Sequence, residues 1–77
     1  MKNKNPKNNI IKTSHNLPYA RILFIDKMIA EGNFPSAPKI AKEYEGVSVI
    51  TIKRDIEYMR DILNAPIEYD KNKKGYY

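Results

Sequence analysis

The 77-residue sequence predicts a mostly α-helical domain that ends in a small β-hairpin. Three observations support this fold class. Apolar residues recur at helical spacing in three segments between residues 18 and 63. Serine, glycine, asparagine or proline stands at the boundaries of these segments, as is typical of helix ends. After the last boundary, Ile67–Asp70 alternates apolar and polar residues with the period of two that a strand requires.

The first predicted helix opens at Leu17-Pro18 and ends at Gly32-Asn33, because either of the last two residues can adopt the left-handed conformation that stops a helix. Its apolar positions recur at i, i+3, i+6 and i+7: Ile22, Ile25, Met28 and Ile29. Residues 1–17 are polar, rich in asparagine and without periodicity. We therefore predict that they form a disordered basic arm, separate from one domain over residues 18–77.

A short second helix is predicted to start at Ser36 as N-cap, with Pro38 in its first turn, where proline is tolerated. Its inward candidates are Ile40, Ala41 and Tyr44. A turn at 45–47 leads to the third helix, residues 48–63, which Ser48 caps. At 100° per residue, one stripe of this helix is apolar. The stripe consists of Val49, Ile52, Ile56, Met59 and Leu63.

The predicted hairpin follows the third helix, which Pro66 stops because proline disfavours helix at the preceding residue. The first strand is Ile67–Asp70, residues 71–75 form the turn, and Tyr76-Tyr77 begins the returning strand. Three helices followed by a hairpin constitute a three-helix winged helix-turn-helix. We expect Tyr69 and Tyr76 to pack in the core against the third helix. Because the second strand is short, we expect the chain to continue in a longer protein.

Composition excludes several functional classes. With no cysteine, the chain has neither disulfides nor a thiolate metal site. It has a single histidine, His15, no glycine-rich phosphate loop and no ligand-spaced cluster, so we predict neither an enzyme nor a cofactor or metal site. No segment is typical of a signal peptide or a membrane span. We expect a cytoplasmic protein without a membrane partner.

The net charge of +5 is unevenly distributed. Residues 1–17 contribute +4 through Lys2, Lys4, Lys7 and Lys12, without any acid. The remaining 60 residues carry ten basic and nine acidic side chains. A nucleic-acid partner is therefore indicated by where particular cations stand, and not by a uniformly basic body.

The start of the third helix combines hydroxyls, an aliphatic side chain and cations opposite its apolar stripe, which is the layout that a helix in the DNA major groove requires. Ser48 caps the helix, a role compatible with donation to a phosphate. Thr51 either reaches the DNA backbone or bonds back within its own helix. Ile50 is either additional core or a contact for a thymine methyl group, and we favour the DNA contact.

Lys53 and Arg54 are either solvated cations or DNA contacts, and Arg54 has Asp55, Glu57 and Asp61 nearby as alternative partners. We favour DNA for both, with Lys53 reading bases and Arg54 clamping a phosphate. For Asp55 we predict a structural role, because a carboxylate facing phosphates would repel them.

The hairpin tip, residues 71–74, is a lysine-rich wing. It carries three cations in four residues: Lys71, Lys73 and Lys74. The alternatives are a solubilising turn and a contact with phosphates or the minor groove, and we favour the contact. At the start of the second helix, Ser36 and Lys39 either touch the DNA backbone or only cap the helix.

The ordered part of the sequence resembles the N-terminal winged helix-turn-helix of DeoR-like bacterial transcriptional regulators, especially those with a C-terminal WYL sensor domain. The resemblance covers residues 19–77. The matching positions are Ile40-Ala41, Gly46-Val47-Ser48, Thr51-Ile52, Arg54-Asp55-Ile56-Glu57-Tyr58-Met59-Arg60, Pro66-Ile67-Glu68-Tyr69-Asp70 and Gly75-Tyr76-Tyr77. Lys53 departs from the pattern, because arginine is frequent there; lysine keeps the charge but loses the bidentate fork.

This resemblance implies a transcriptional regulator that is often dimeric and binds its effector outside these residues, since the WYL domain is not among them. Our first hypothesis is sequence-specific binding of double-stranded DNA. A homodimer would form through a missing C-terminal region. The alternative hypothesis is a winged-helix module for protein interaction or dimerisation that binds no DNA, which the near-neutral body favours.

Overall fold

The computed structural model describes residues 18–77, so the predicted basic arm, residues 1–17, lies outside the described residues. Three helices are followed by a two-stranded antiparallel hairpin, which confirms the predicted mostly α-helical fold. The elements are α1 (Pro18–Ala30), α2 (Ala37–Tyr44), α3 (Val49–Asp61), β1 (Tyr69–Asp70) and β2 (Gly75–Tyr76).

The starts of α2 and α3 follow from two serines. Ser36 and Ser48 both have extended backbone, and each Oγ accepts a hydrogen bond from the backbone N–H three residues on, in Lys39 and Thr51 respectively. These bonds satisfy amide groups that have no partner within the helix. The predicted N-caps are thus confirmed. At the end of α1, Gly32 has a φ of 82°, and its N–H donates to the carbonyl of Ile29.

The end of α3 differs from the prediction. The helix ends at Asp61 instead of Leu63, ahead of the proline that was expected to stop it. Asn64 adopts a left-handed φ of 59°, which reverses the chain so that the Ala65 N–H donates to the Met59 carbonyl at 2.9 Å. Leu63 therefore leaves the apolar stripe and is 50% exposed.

The core lies where the three helices meet. Its fully buried large side chains come from all three: Ile25 of α1, Ile40 of α2, and Ile52 and Ile56 of α3. Met59 and Ile67 close it from the end of α3 and the segment before β1. Since α3 packs against both other helices, its position is determined on two sides.

The hairpin is shorter than predicted and is docked on the loop before α2. Tyr69 pairs with Tyr76 and Asp70 with Gly75, so Gly75 belongs to the strand and not to the turn. Glu68 and Tyr77 exchange two further backbone hydrogen bonds of 2.8 and 2.9 Å. The Tyr76 N–H donates to the Pro35 carbonyl at 2.8 Å. β2 is thereby bonded on both of its edges.

The two hairpin tyrosines differ in burial. Tyr76 is half-buried against the core, as predicted, but Tyr69 is 46% exposed. The prediction that Tyr69 packs in the core is wrong, because only its neighbour Tyr76 packs against the core and the Tyr69 ring lines a surface crevice. There it packs edge-on against the Tyr76 ring, with 5.0 Å between centroids.

Candidate nucleic-acid interface

The first turn of α3 is held by two hydroxyls. Ser48 Oγ accepts from the Thr51 N–H at 3.1 Å and lies 3.0 Å from Thr51 Oγ1. The cap is therefore present whether or not these two hydroxyls also contact DNA. Ser48 is exposed and Thr51 is half-buried. The backbone N–H groups of the first turn point toward the N-terminal end of the helix.

The face of α3 opposite the core carries the predicted contact residues. Ile50 is 61% exposed, and Lys53 and Arg54 are exposed. Within residues 18–77, neither Lys53 nor Arg54 forms an ion pair. Both cations therefore remain available to a charged partner, and the prediction that Ile50 points away from the apolar stripe is confirmed.

Asp55, which follows Arg54 in α3, is buried and has its partner on α1. Its Oδ2 accepts a hydrogen bond from Arg21 Nε at 2.6 Å, and its Oδ1 accepts one from Arg21 Nη2 at 3.1 Å. The guanidinium therefore binds the carboxylate in a bidentate manner. The side chains are only 13% and 10% exposed. The bond to Asp55 raises the pKa of Arg21 above its ordinary value, although burial opposes this effect. The pair joins α1 to α3 and so fixes the direction of the exposed face.

The hairpin tip is organised by Asp70. Its Oδ1 accepts hydrogen bonds from the Asn72 N–H at 2.8 Å and from the Lys73 N–H at 2.9 Å. These two bonds stabilise the turn. Lys74 adopts a left-handed φ of 57° and directs the chain into β2. Lys71, Lys73 and Lys74 are all exposed, but the Lys73 ammonium lies 4.2 Å from the centre of the Phe34 ring.

Four predicted contact residues line one crevice between the tip and the start of α2: Ser36, Lys39, Lys73 and Lys74. This crevice is not purely basic. Glu31 and Glu43 also line it, and Lys39 Nζ lies 3.1 Å from Glu43 Oε2. This ion pair between residues one helical turn apart is exposed to solvent and therefore weak. Lys39 can exchange Glu43 for another anionic partner at little cost.

A second crevice lies between α2, α3 and the hairpin. Ser36, Lys53, Tyr69 and Tyr76 line it, together with Ala37 and Pro38. Ser36 is common to both crevices, so the start of α2 connects Lys53 of α3 with the lysines of the tip. The structure brings the other predicted residues to neither crevice; these are Ser48, Ile50, Thr51, Arg54 and Lys71.

Sequence reasoning missed three residues on which this arrangement depends: Arg21, Phe34 and Gly75. The sequence does contain a signal for Arg21. It lies on the inward face of α1, one turn before Ile25, and Asp55 likewise lies on the inward face of α3, between Ile52 and Ile56. Two opposite charges on apolar faces indicate a buried pair. For Phe34 and Gly75 the sequence offers no signal, because their contact joins segments about forty residues apart.

Replacing Asp70 by alanine is expected to loosen the hairpin tip. The change removes the acceptor of two backbone hydrogen bonds in an exposed turn, so we expect a loss of about 1 kcal/mol of stability and faster amide hydrogen exchange at Asn72 and Lys73. Asp70→Asn keeps an acceptor oxygen and is the control. Exchange at these amides that is equal in the alanine variant and the unaltered chain would contradict this role.

Within residues 18–77, no three acidic or histidine side chains are grouped so that they could hold a metal ion. None of the three helices combines the length and the apolar character that crossing a bilayer demands. Comparison with protein-family models, with curated proteins and with solved structures found no match for the chain.

Proposed function

We propose that this chain is a winged helix-turn-helix module that binds double-stranded DNA sequence-specifically, as part of a transcriptional regulator. In this proposal, α2 and α3 form the helix-turn-helix, α3 enters the major groove at its N-terminal end, and residues 71–74 of the hairpin act as the wing on the DNA backbone. The order of three helices and a hairpin is compatible with this fold.

The observation that carries the proposal is the continuity of the surface from α3 to the hairpin tip. Lys53 shares a crevice with Ser36, and Ser36 shares the next crevice with Lys39, Lys73 and Lys74. A duplex contacts a protein along a path of this kind, because successive phosphates follow the groove that holds the recognition helix. Residues far apart in sequence would thus meet one ligand.

The side chains along the two crevices and on the exposed face of α3 beside them supply two kinds of contact. The lysines of the wing, Lys39 and Arg54 provide cations for phosphates, and the amide groups capped by Ser36 and Ser48 provide the positive ends of two helices. Ile50 and Lys53 can meet base edges: a thymine methyl group for the first, and the acceptors of guanine for the second. The body of residues 18–77 is almost neutral, so binding depends on these local groups.

Arg54→Ala is expected to weaken binding to all duplexes and to reduce the slope of log affinity against log salt by about one, because one phosphate contact is lost. The operator is found first by selecting the chain's preferred duplexes from a random pool, and affinities are then measured by fluorescence anisotropy over a range of salt. Arg60→Ala is the matched control: it removes the same charge from the last turn of the same helix, away from the N-terminal end that is proposed to enter the major groove. Ile50→Ala and Lys53→Ala should instead relax the preference among sites, by about 1–3 kcal/mol for a base contact.

Two results would contradict the proposal. If alanine at both 53 and 54 leaves operator affinity unchanged, the docking face is wrong. If the chain is not retained on heparin or DNA resin at low salt once Lys2, Lys4, Lys7 and Lys12 are replaced by glutamine, the DNA contact comes from the arm alone. The alternative, an interaction module without DNA binding, would then be favoured.

A further inference from the structure

Phe34 has a backbone conformation that a bulky residue adopts only at a cost. Its φ is 52°, in the left-handed region that favours glycine or asparagine. Residues of both kinds, Gly32 and Asn33, stand immediately before it in the loop that follows α1. The turn itself therefore does not explain an aromatic side chain at position 34. A residue held in such a conformation calls for a compensating role, and the contacts of the Phe34 ring indicate which role it is.

The Phe34 ring contacts the hairpin at two points. Its centroid lies 5.4 Å from that of the Tyr77 ring, with an angle of 45° between the two planes. The Lys73 ammonium lies 4.2 Å from the centre of the Phe34 ring, which is within the range of a cation–π interaction. Phe34 therefore connects the loop before α2 both to the tip of the hairpin and to the residue that follows β2.

The contact with Phe34 restrains a side chain that is otherwise long and free to rotate. Lys73 is exposed, and a lysine in water samples many rotamers, most of which are lost when its ammonium binds a fixed anion. The ring meets the ammonium from one side only, so N–H donors remain for a second partner. Phe34 and Lys73 line the same crevice as Ser36 and Lys39, at the start of α2.

We propose that Phe34 is a positioning residue for the wing: its ring holds the Lys73 ammonium, before binding, at the place where it contacts a DNA backbone phosphate. This inference rests on the proposed function, which supplies the phosphate. Because Lys73 is already ordered in the free protein, less rotamer freedom is lost when the duplex binds. The charge of Lys73 is the same with or without the ring. Phe34 thus raises the affinity without changing the number of phosphates that are contacted.

NMR spectroscopy of the full chain without DNA measures the orientation of Lys73. In the unaltered chain, the ring current of Phe34 is expected to shift the Hε protons of Lys73 upfield of those of Lys71, which is exposed at the same tip. Phe34→Leu should abolish this difference, because leucine fills space but has no aromatic face, and Phe34→Tyr should retain it. Equal shifts for the two lysines in the unaltered chain would overturn the proposal, whether or not the chain binds DNA.

Affinity for the selected duplex is then measured over a range of salt. Phe34→Leu is expected to weaken binding about three- to tenfold, because one more side chain must be ordered, and to leave the salt slope unchanged. Phe34→Tyr should restore the affinity. Lys73→Ala should lower the slope by about one, and Phe34→Leu should have no further effect in that background. Lys71→Ala is the matched control, since Phe34→Leu should keep its full effect there.

Three binding results would overturn the proposal: unchanged affinity in Phe34→Leu, a lower salt slope in Phe34→Leu, or additive effects of Phe34→Leu and Lys73→Ala. A lower slope would mean that the ring holds the whole wing and not the ammonium of Lys73. Circular dichroism and the amide exchange rate of Tyr76 verify that each variant is folded with its hairpin docked. A chain that shows the Lys73 shift but binds no duplex would instead refute the proposed function and, with it, the phosphate as the partner of Lys73.

Discussion

Replacing Arg21 by methionine is expected to lower the free energy of unfolding by about 3–5 kcal/mol. The substitution keeps most of the side-chain volume but removes the guanidinium that binds both oxygens of Asp55. The carboxylate is 10% exposed, so water cannot replace the lost partner fully. A domain of about 60 residues has a total stability of roughly 3–9 kcal/mol, so this single change is expected to unfold a measurable fraction of the protein.

Urea denaturation followed by circular dichroism measures this effect. The double variant Arg21→Met with Asp55→Leu should recover most of the loss, because it removes both charges from the buried site instead of leaving one. Lys39→Ala is the surface control: its pair with Glu43 is about half exposed on both sides, and we expect a change of less than about 1 kcal/mol. A loss for Arg21→Met as small as that of Lys39→Ala would show that the buried pair does not hold α1 to α3.

Gly75→Ala is expected to have the next largest effect, a destabilisation of about 2–3 kcal/mol or more. A Cβ at this position would overlap the carbonyl oxygen and carbon of Phe34, and these are backbone atoms that cannot rotate away. Either the hairpin or the loop before α2 must move. The bond from the Tyr76 N–H to the Pro35 carbonyl and the contact of Lys73 with the Phe34 ring would be disturbed at the same time.

The measurement is again urea denaturation, joined by the amide exchange rate of Tyr76, which reports on the docking of the hairpin. Gly32→Ala is the control. It has no atom within 4 Å of the added methyl group, so its cost comes only from the positive φ of 82° and should be about 1 kcal/mol. If the two alanine variants lose equal stability and Tyr76 remains protected in both, close packing at Gly75 is not what holds the hairpin.

These two contacts bear on the proposed function because they orient its parts. Arg21 and Asp55 set the rotation of α3 about its axis, and Gly75 against Phe34 sets the position of the hairpin tip beside α2. If the chain binds DNA as proposed, Gly75→Ala should weaken binding more than Asp70→Ala does, since the first displaces the whole wing and the second only loosens its tip.

Local signals predicted the helices well because each signal acts over a few residues. Ser36 and Ser48 cap helices through their own hydroxyls, and Gly32 stops α1 through its own backbone freedom. The two errors have different causes. Leu63 satisfies the helical period, but the helix ends before it and the left-handed Asn64 reverses the chain; this cause is local. Tyr69 satisfies the strand period but is 46% exposed, and this depends on how the hairpin docks on the helices.

The candidate site divides in the same way. The exposure of Ile50, Lys53 and Arg54 follows from helical periodicity, so the sequence predicted it. The convergence of Ser36 and Lys39 with Lys73 and Lys74 does not, and neither does that of Ser36 with Lys53, because both depend on how the hairpin docks on residues 34 and 35. The sequence likewise did not indicate that Lys73 rests on Phe34, or that Tyr69 lines a crevice with Lys53.

By itself, then, the sequence determined the order of the elements, their N-terminal boundaries and the face of α3 that carries the cations. Those features depend on hydrogen bonds and periodicities that span no more than a few residues. Only the tertiary structure decided which helix Asp55 is bonded to, where the hairpin tip lies and which ring the Lys73 ammonium contacts. Each of these depends on contacts between residues that are more than thirty positions apart, where packing and not local preference selects the partner.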